Sequence, residues 1–294
     1  MATTVAKAFD EFADKIKPTQ AQSNQVSSRR GAVEGFLKAK YGADSTMPLT
    51  ETKVIGSAGR QTLIRPVDDV DVFCVFDDSQ VWSQYAANSQ QLLYRVKEAL
   101  DGYSVQTVGS RGQAVRLFYS EGPNVDITPA FPVKNFFGQL DGYYIPKGDG
   151  GWQQTNPYKH AEFMSQRNQE LGGNLKKFVR FLKRWNNVHS RRLKSFHLEV
   201  MAQAAFATLG TNSRQNFEVF FGYAANVLDV NDPAGYSGNL AGSLTYNQRE
   251  AILQSFTTAS EQVARARAAE ANGDTAEAIR QWRIVLGSEF PSYG

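Results

Sequence analysis

Cysteine occurs once in the 294 residues, as Cys74, and histidine three times, as His160, His189 and His197. One thiol excludes an internal disulfide, and so few Cys and His ligands argue against a structural zinc site; both fit a reducing cytoplasm. Long apolar runs are lacking too. The longest, such as Val72-Phe73-Cys74-Val75-Phe76, fall far short of the roughly 20 residues a membrane-crossing helix needs. The N-terminus lacks the charged-then-apolar order of a signal peptide, so a soluble cytoplasmic protein is expected. Net charge is small as well: 32 Lys and Arg against 29 Asp and Glu leave +3. That is too little to announce a nucleic-acid partner, and it suits a pocket for polyphosphates. No internal repeat and no low-complexity tail is present, and the length allows two lobes or one large domain.

What the chain does carry is a Gly-Ser turn followed by acids on a strand. In Asp69-Val70-Asp71-Val72-Phe73-Cys74-Val75-Phe76, period-2 geometry puts the two carboxylates on one strand face. Carboxylates about 4 Å apart repel by roughly 4 kcal/mol at an effective dielectric of 20, so keeping both ionised calls for a divalent cation. Such a pair alone is also the ordinary pattern of a half-exposed strand. A third acid changes the balance: Asp126, in Asn124-Val125-Asp126-Ile127-Thr128-Pro129, faces opposite to Val125 and Ile127, so a neighbouring strand can bring it beside Asp69 and Asp71. The turn Gly56-Ser57 supplies backbone N–H groups and a hydroxyl for a phosphate. Two-metal phosphoryl transfer needs both parts.

Gly56-Ser57, then Asp69-x-Asp71, then a late Asp126 resembles the signature of the polymerase-β-like nucleotidyltransferases. The rest of the chain is similar to the bacterial cGAS/DncV-like nucleotidyltransferases (CD-NTases), relatives of cyclic GMP-AMP synthase and oligoadenylate synthetase. The resemblance implies an α+β fold: a palm sheet with a long N-terminal spine helix (1–157), a helical C-terminal domain (158–294), and the active site between the lobes. It also implies that Asp69, Asp71 and Asp126 are catalytic and bind two Mg²⁺ ions, replaceable by Mn²⁺. Asp126 would complete the ion that activates the attacking ribose hydroxyl and accept its proton. Relatives carry Gly where this chain has Gln61.

Along the chain, Phe9, Phe12, Ala13 and Ile16 share a helical face before Pro18, and a second helix runs from Gln20 to about Tyr41. Strands are expected at Thr52–Ile55, Asp69–Phe76, Ser104–Val108, Ala114–Tyr119 and Val125–Pro129, with a helix near Ser83–Leu100. Residues 137–160, rich in Gly and aromatics, read as irregular. There the resemblance points to Thr155 and Asn156 as contacts to a base. Between Asn174 and Asn187, Leu175, Phe178, Val179, Leu182 and Trp185 make an apolar stripe, while Lys176, Arg180, Lys183 and Arg184 make a basic one. A basic face is commonly just solvated. Arg180-x-x-Lys183-x-Trp185 resembles the oligoadenylate synthetase element that holds the donor triphosphate. Ser195 reads locally as a helix N-cap; by resemblance it touches the triphosphate, and Phe196 stacks on the donor base where relatives carry Tyr. Helices over Leu198–Leu209, Arg214–Val227, Thr245–Asn272 and Thr275–Leu286 complete the chain.

The resemblance thus implies a synthase that joins ribonucleoside triphosphates, ATP among them, into a cyclic di- or trinucleotide in anti-phage (CBASS-type) signalling. A separate effector protein would bind the product, and the enzyme would be a monomer without a membrane or double-stranded DNA partner. Two other readings stay open: a nucleotidyltransferase that modifies RNA or protein, and a non-catalytic nucleotide-binding sensor.

Overall fold

The computed structural model describes residues 1–77 and 82–294. Helices α1 (Val5–Ile16) and α2 (Gln20–Lys40) come first. Pro18 disfavours helical geometry at Lys17 and so separates them. Thr19 then opens α2 reciprocally: its hydroxyl accepts from Gln22 N, and the Gln22 side chain accepts from Thr19 N. Next come β1 (Leu49–Val54), the single turn α3 (Gly56–Gly59), β2 (Asp69–Phe76), α4 (Trp82–Tyr85) and α5 (Ser89–Ala99). Strands β3 (Thr107–Arg111), β4 (Ala114–Phe118), β5 (Asn124–Lys134), β6 (Leu140–Pro146) and β7 (Trp152–Thr155) follow. Helices α6 (Pro157–Glu170), α7 (Leu175–Val188), α8 (Ser195–Ala205), α9 (Ser213–Tyr223), α10 (Tyr246–Ala271) and α11 (Thr275–Leu286) end the chain, with a 3₁₀ turn at Ala224–Val227.

The chain forms two compact units. A sheet unit comprises Pro18–Arg60 and Pro66–Ala161; a helical unit comprises Met1–Lys17, Gln61–Arg65 and Glu162–Gly294. Thus α1 and residues 61–65 group with the helices rather than with the sheet, as a cut at 157/158 would have them. The reason lies in the aromatic stripe of α1. Phe9 meets Phe181 at 5.6 Å, Trp282 at 4.8 Å and Phe290 at 5.1 Å, all edge-on, and Phe12 stacks on Phe181 at 5.9 Å. These rings need aromatic partners, and the C-terminal half supplies them.

The seven-stranded sheet has the order β1-β2-β5-β4-β3, with β6 on the C-terminal half of β5 and β7 beyond it. β2 and β5 run parallel, and their register sets Asp71 opposite Asp126. β4 lies antiparallel on the other side of β5 and sets Arg116 opposite the same Asp126. One face, with Val70, Val72, Val115, Leu117, Val125 and Ile127, is buried. On the opposite face the acids occupy the N-terminal end of β2. Farther along that face, Phe73 and Val75 pack with Ala130, Tyr143 and Ile145. Helix α2 is fastened to the sheet unit through Arg30, whose Nη1 donates to Thr52 Oγ1 at 3.2 Å, and through Phe36 against Tyr103.

Three expectations are corrected. The helix expected over Ser83–Leu100 is two helices, because Asn88 accepts from Gln90 N and starts a new one. β3 begins at Thr107, not Ser104. Residues 137–160 are not irregular: Gly138 and Gly150, at φ 76 and 87, confine the bends to turns, leaving Tyr143-Tyr144-Ile145 free to pair as β6 with β7. Trp82 stacks on Tyr144 at 4.9 Å, and Trp152 Nε1 donates to Ala86 O at 3.1 Å. Among the described residues, no helix is long and apolar enough to cross a membrane.

Candidate active site

The acidic face of the sheet unit is built by strand register. Asp69 is exposed at the edge of β2, while Asp71 and Asp126 sit deeper on adjacent strands. Burial, then Asp69, then Asp126 push the Asp71 carboxyl up to about 6, against the opposing pull of Arg60 and Arg116. Charge on Asp71 is therefore under-compensated, as expected of a carboxylate that serves a cation.

Gly56 is positioned against that carboxylate. Its φ is +62°, and a Cβ built there would lie 1.9 Å from Asp71 Oδ2. Only glycine tolerates both the backbone and the contact. Asp71 O also accepts from Ile55 N at 2.9 Å, so the turn and the acid are locked together at both ends. Gly56→Ala is expected to displace Asp71 and lower turnover by on the order of 100-fold, with the sheet retained by circular dichroism. Near wild-type turnover would refute this placement.

The residue the sequence reading missed is Arg116. Its Nε donates to Asp126 Oδ1 at 2.5 Å, and its Nη2 donates to Asp126 Oδ2 at 2.5 Å and to Asp69 Oδ2 at 2.9 Å. Alternation along β4 puts Arg116 on the face opposite the buried Val115 and Leu117, and only the pairing of β4 with β5 brings it to Asp126.

The donor chemistry of Asp69, Asp71 and Asp126, oxygen only and on adjacent strands, fits hard divalent cations. In the present side-chain arrangement, Arg116 is the cation that two of them hold. Among the described residues no group of three or more His, Cys, Asp or Glu is placed to grip an ion.

In the helical unit, α7 grips residues 61–62. Lys176 Nζ donates to Gln61 Oε1 at 3.1 Å, Arg180 Nη1 to Gln61 O at 3.0 Å, and Lys183 Nζ to Thr62 O at 3.0 Å. Arg180 and Lys183 thus do share a face, as their spacing implies. Lys183 is not on a solvated stripe, however. It is buried, with Nζ 3.3 Å from the fully buried Glu199, whose Oε1 also accepts from Thr62 Oγ1 at 2.8 Å. Burial lowers the pKa of the half-buried Arg180; burial and then Arg180 lower that of Lys176.

Gln61 itself has φ +61°, in the left-handed region that favours glycine. Gln61→Gly is expected to leave stability within ~1 kcal/mol of wild type, because relief of strain offsets chain entropy and the lost Lys176 contact. Gln61→Val, β-branched, should cost more than ~2 kcal/mol in urea unfolding; equal stability of the two variants would contradict this.

Ser195 is the exposed first residue of α8, and its N-cap is Lys194, so the hydroxyl is not the cap. Phe196 beside it is half-buried. Asn156 is buried, and its Oδ1 accepts from Lys159 N, which makes it the cap of α6. Thr155 ends β7.

A Gly-Ser turn against a strand with two acids, and a third acid in register on a parallel neighbour, define a polymerase-β-like nucleotidyltransferase. A family model described as the Second Messenger Oligonucleotide or Dinucleotide Synthetase (SMODS) domain matches residues 3–168. The chain is 27% identical to the probable cyclic nucleotide synthase of Bacillus cereus strain VD146, over 100% of this chain and 99% of that one. It is 22% identical to the cyclic AMP-AMP-AMP synthase of Escherichia coli strain MS 115-1, over 97% of each. The solved CdnC of the same strain, in complex with HORMA-deltaN, superposes with a TM-score of 0.78 at 20% identity, covering 98% of each chain. The chain belongs to the SMODS family, the second-messenger nucleotide synthetases among the bacterial CD-NTases. It is a nucleotidyltransferase, of a family that uses divalent metal ions.

Proposed function

We propose that the chain joins ribonucleoside triphosphates, ATP among them, into a cyclic di- or trinucleotide, with release of pyrophosphate. The register that pairs Asp71 with Asp126 is the observation that carries this reading, because it places acids distant in sequence on one face. Asp69, Asp71 and Asp126 would hold Mg²⁺, which Mn²⁺ can replace. When bound, such ions neutralise phosphate charge and raise the acidity of the attacking hydroxyl.

Asp126 accepts the proton of that ribose hydroxyl. The Gly56 and Ser57 backbone N–H groups and the Ser57 hydroxyl hold phosphate oxygens, which the left-handed Gly56 makes accessible. In the helical unit, Arg180 and Ser195 take the nucleotide-phosphate role, supported by the lack of a capping task for Ser195. Phe196 stacks on the base. Lys183, engaged with Glu199, serves by fixing residues 61–62, and Asn156 by capping α6.

The setting is CBASS-type anti-phage signalling in the cytoplasm, by a monomer whose product acts on a separate effector. One relative's structure is a CdnC:HORMA-deltaN complex, which favours a protein partner over double-stranded DNA as regulator. Incubation with α-labelled nucleotides, with and without added RNA, tests the reading. A small phosphatase-resistant product independent of RNA is expected; label transferred to RNA or to protein would overturn it.

A further inference from the structure

One contact of the acidic face extends the nucleotidyltransferase reading, on which this inference rests. Arg116 reaches across β5 with a two-pronged grip on Asp126 and a third bond to Asp69. The grip is well shielded: side-chain exposure is 11% for Arg116 and 13% for Asp126, against 48% for Asp69. The planar fork of arginine matches a carboxylate on both oxygens, which makes such a pair stronger and more directional than a lysine contact.

Asp71 and Asp126 are register partners, yet no three acids stand together as an ion-gripping group among the described residues. The grip accounts for both facts. Arg116 draws Asp126 and Asp69 onto itself, and its positive charge offsets the repulsion that a divalent ion would otherwise relieve.

We propose that Arg116 is a place-holding cation, held by Asp126 and Asp69, that a divalent ion has to displace. It is a positioning residue, acting through two acids rather than on substrate. Ion binding is weak without nucleotide, and becomes strong when phosphate oxygens complete the ion's ligands. The sheet unit thereby avoids holding three unpaired carboxylates on one face while no substrate is bound.

Mn²⁺ alone, titrated by the paramagnetic resonance of the free ion, tests this on the full-length wild type, Arg116→Gln, Arg116→Lys and Arg116→Gln/Asp126→Asn. Without nucleotide, Arg116→Gln is expected to bind Mn²⁺ roughly tenfold or more tightly than wild type. Arg116→Lys, which keeps charge without the fork, should fall between them, and the double variant should lose the gain. If Arg116→Gln folds poorly in EDTA, Mn²⁺ should restore its melting temperature, which gives the same reading. A purely structural arginine would loosen the site when removed, not tighten it. Equal or weaker Mn²⁺ binding by both single variants, while wild type binds Mn²⁺ together with ATP, overturns the inference and leaves the enzyme reading standing. No binding by any protein, with or without ATP, sinks both.

Discussion

Asp71→Asn is expected to lose nucleotide transfer by on the order of 10³-fold or more, and at the same time to make the metal-free protein more stable. The second half follows from the environment of the carboxylate. Asp71 is pushed up to about 6 from the 3.8 of an ordinary aspartate. The folded state therefore binds more protons than the unfolded chain between about pH 4 and 6. Metal-free stability falls as pH rises through that window, and above it the charged Asp71 costs on the order of 2–3 kcal/mol. An amide removes that cost. In EDTA at pH 7.5 the variant should melt above wild type; near pH 4, where Asp71 is protonated, the two should coincide. A variant less stable than wild type at pH 7.5 would show that the carboxylate is satisfied by contacts within the protein, not by an absent cation.

The second large effect concerns Lys183 and Glu199, whose side chains are 6% and 0% exposed. Removing one partner leaves the other charge buried and less compensated, so Lys183→Ala or Glu199→Ala should cost about 3–5 kcal/mol in urea unfolding. Trp185 and Trp282, both buried in the helical unit, report the transition. The double change Lys183→Met/Glu199→Leu should recover most of that stability, since an apolar pair of similar volume avoids desolvating two ions. Activity should not recover, because Thr62 loses its hydrogen bonds to Lys183 and Glu199. Residues 61–62 follow the Gly-Ser turn after Ala58, Gly59 and Arg60. Recovery of activity together with stability would mean that the pair is only a structural tie.

Much of this was legible because it is local. Period-2 alternation places Asp69 and Asp71 on one face, and Pro18 divides α1 from α2. Asp126 was legible in kind but not in register, since strand pairing across more than fifty residues is a tertiary choice. Arg116 was missed for the same reason: its meaning depends on which strand faces it. The burial of Lys183, expected by resemblance to hold the donor triphosphate, was not legible because helical spacing shows which residues share a face, not what buries that face. Glu199, on the next helix α8, gives that face its counter-charge. The β6–β7 hairpin was hidden by counting glycines without their conformations: Gly138 and Gly150 turn the chain, while Gly142 sits within β6.

The most direct measurement of the central claim compares wild type with Asp69→Asn. Each protein is incubated with all four ribonucleoside triphosphates and Mg²⁺ or Mn²⁺, treated with phosphatase, and the resistant species is identified by mass spectrometry. A cyclic di- or trinucleotide present with wild type and absent with Asp69→Asn is the predicted result. The same product from Asp69→Asn at near wild-type rate would contradict the assignment of the acidic face as the catalytic centre.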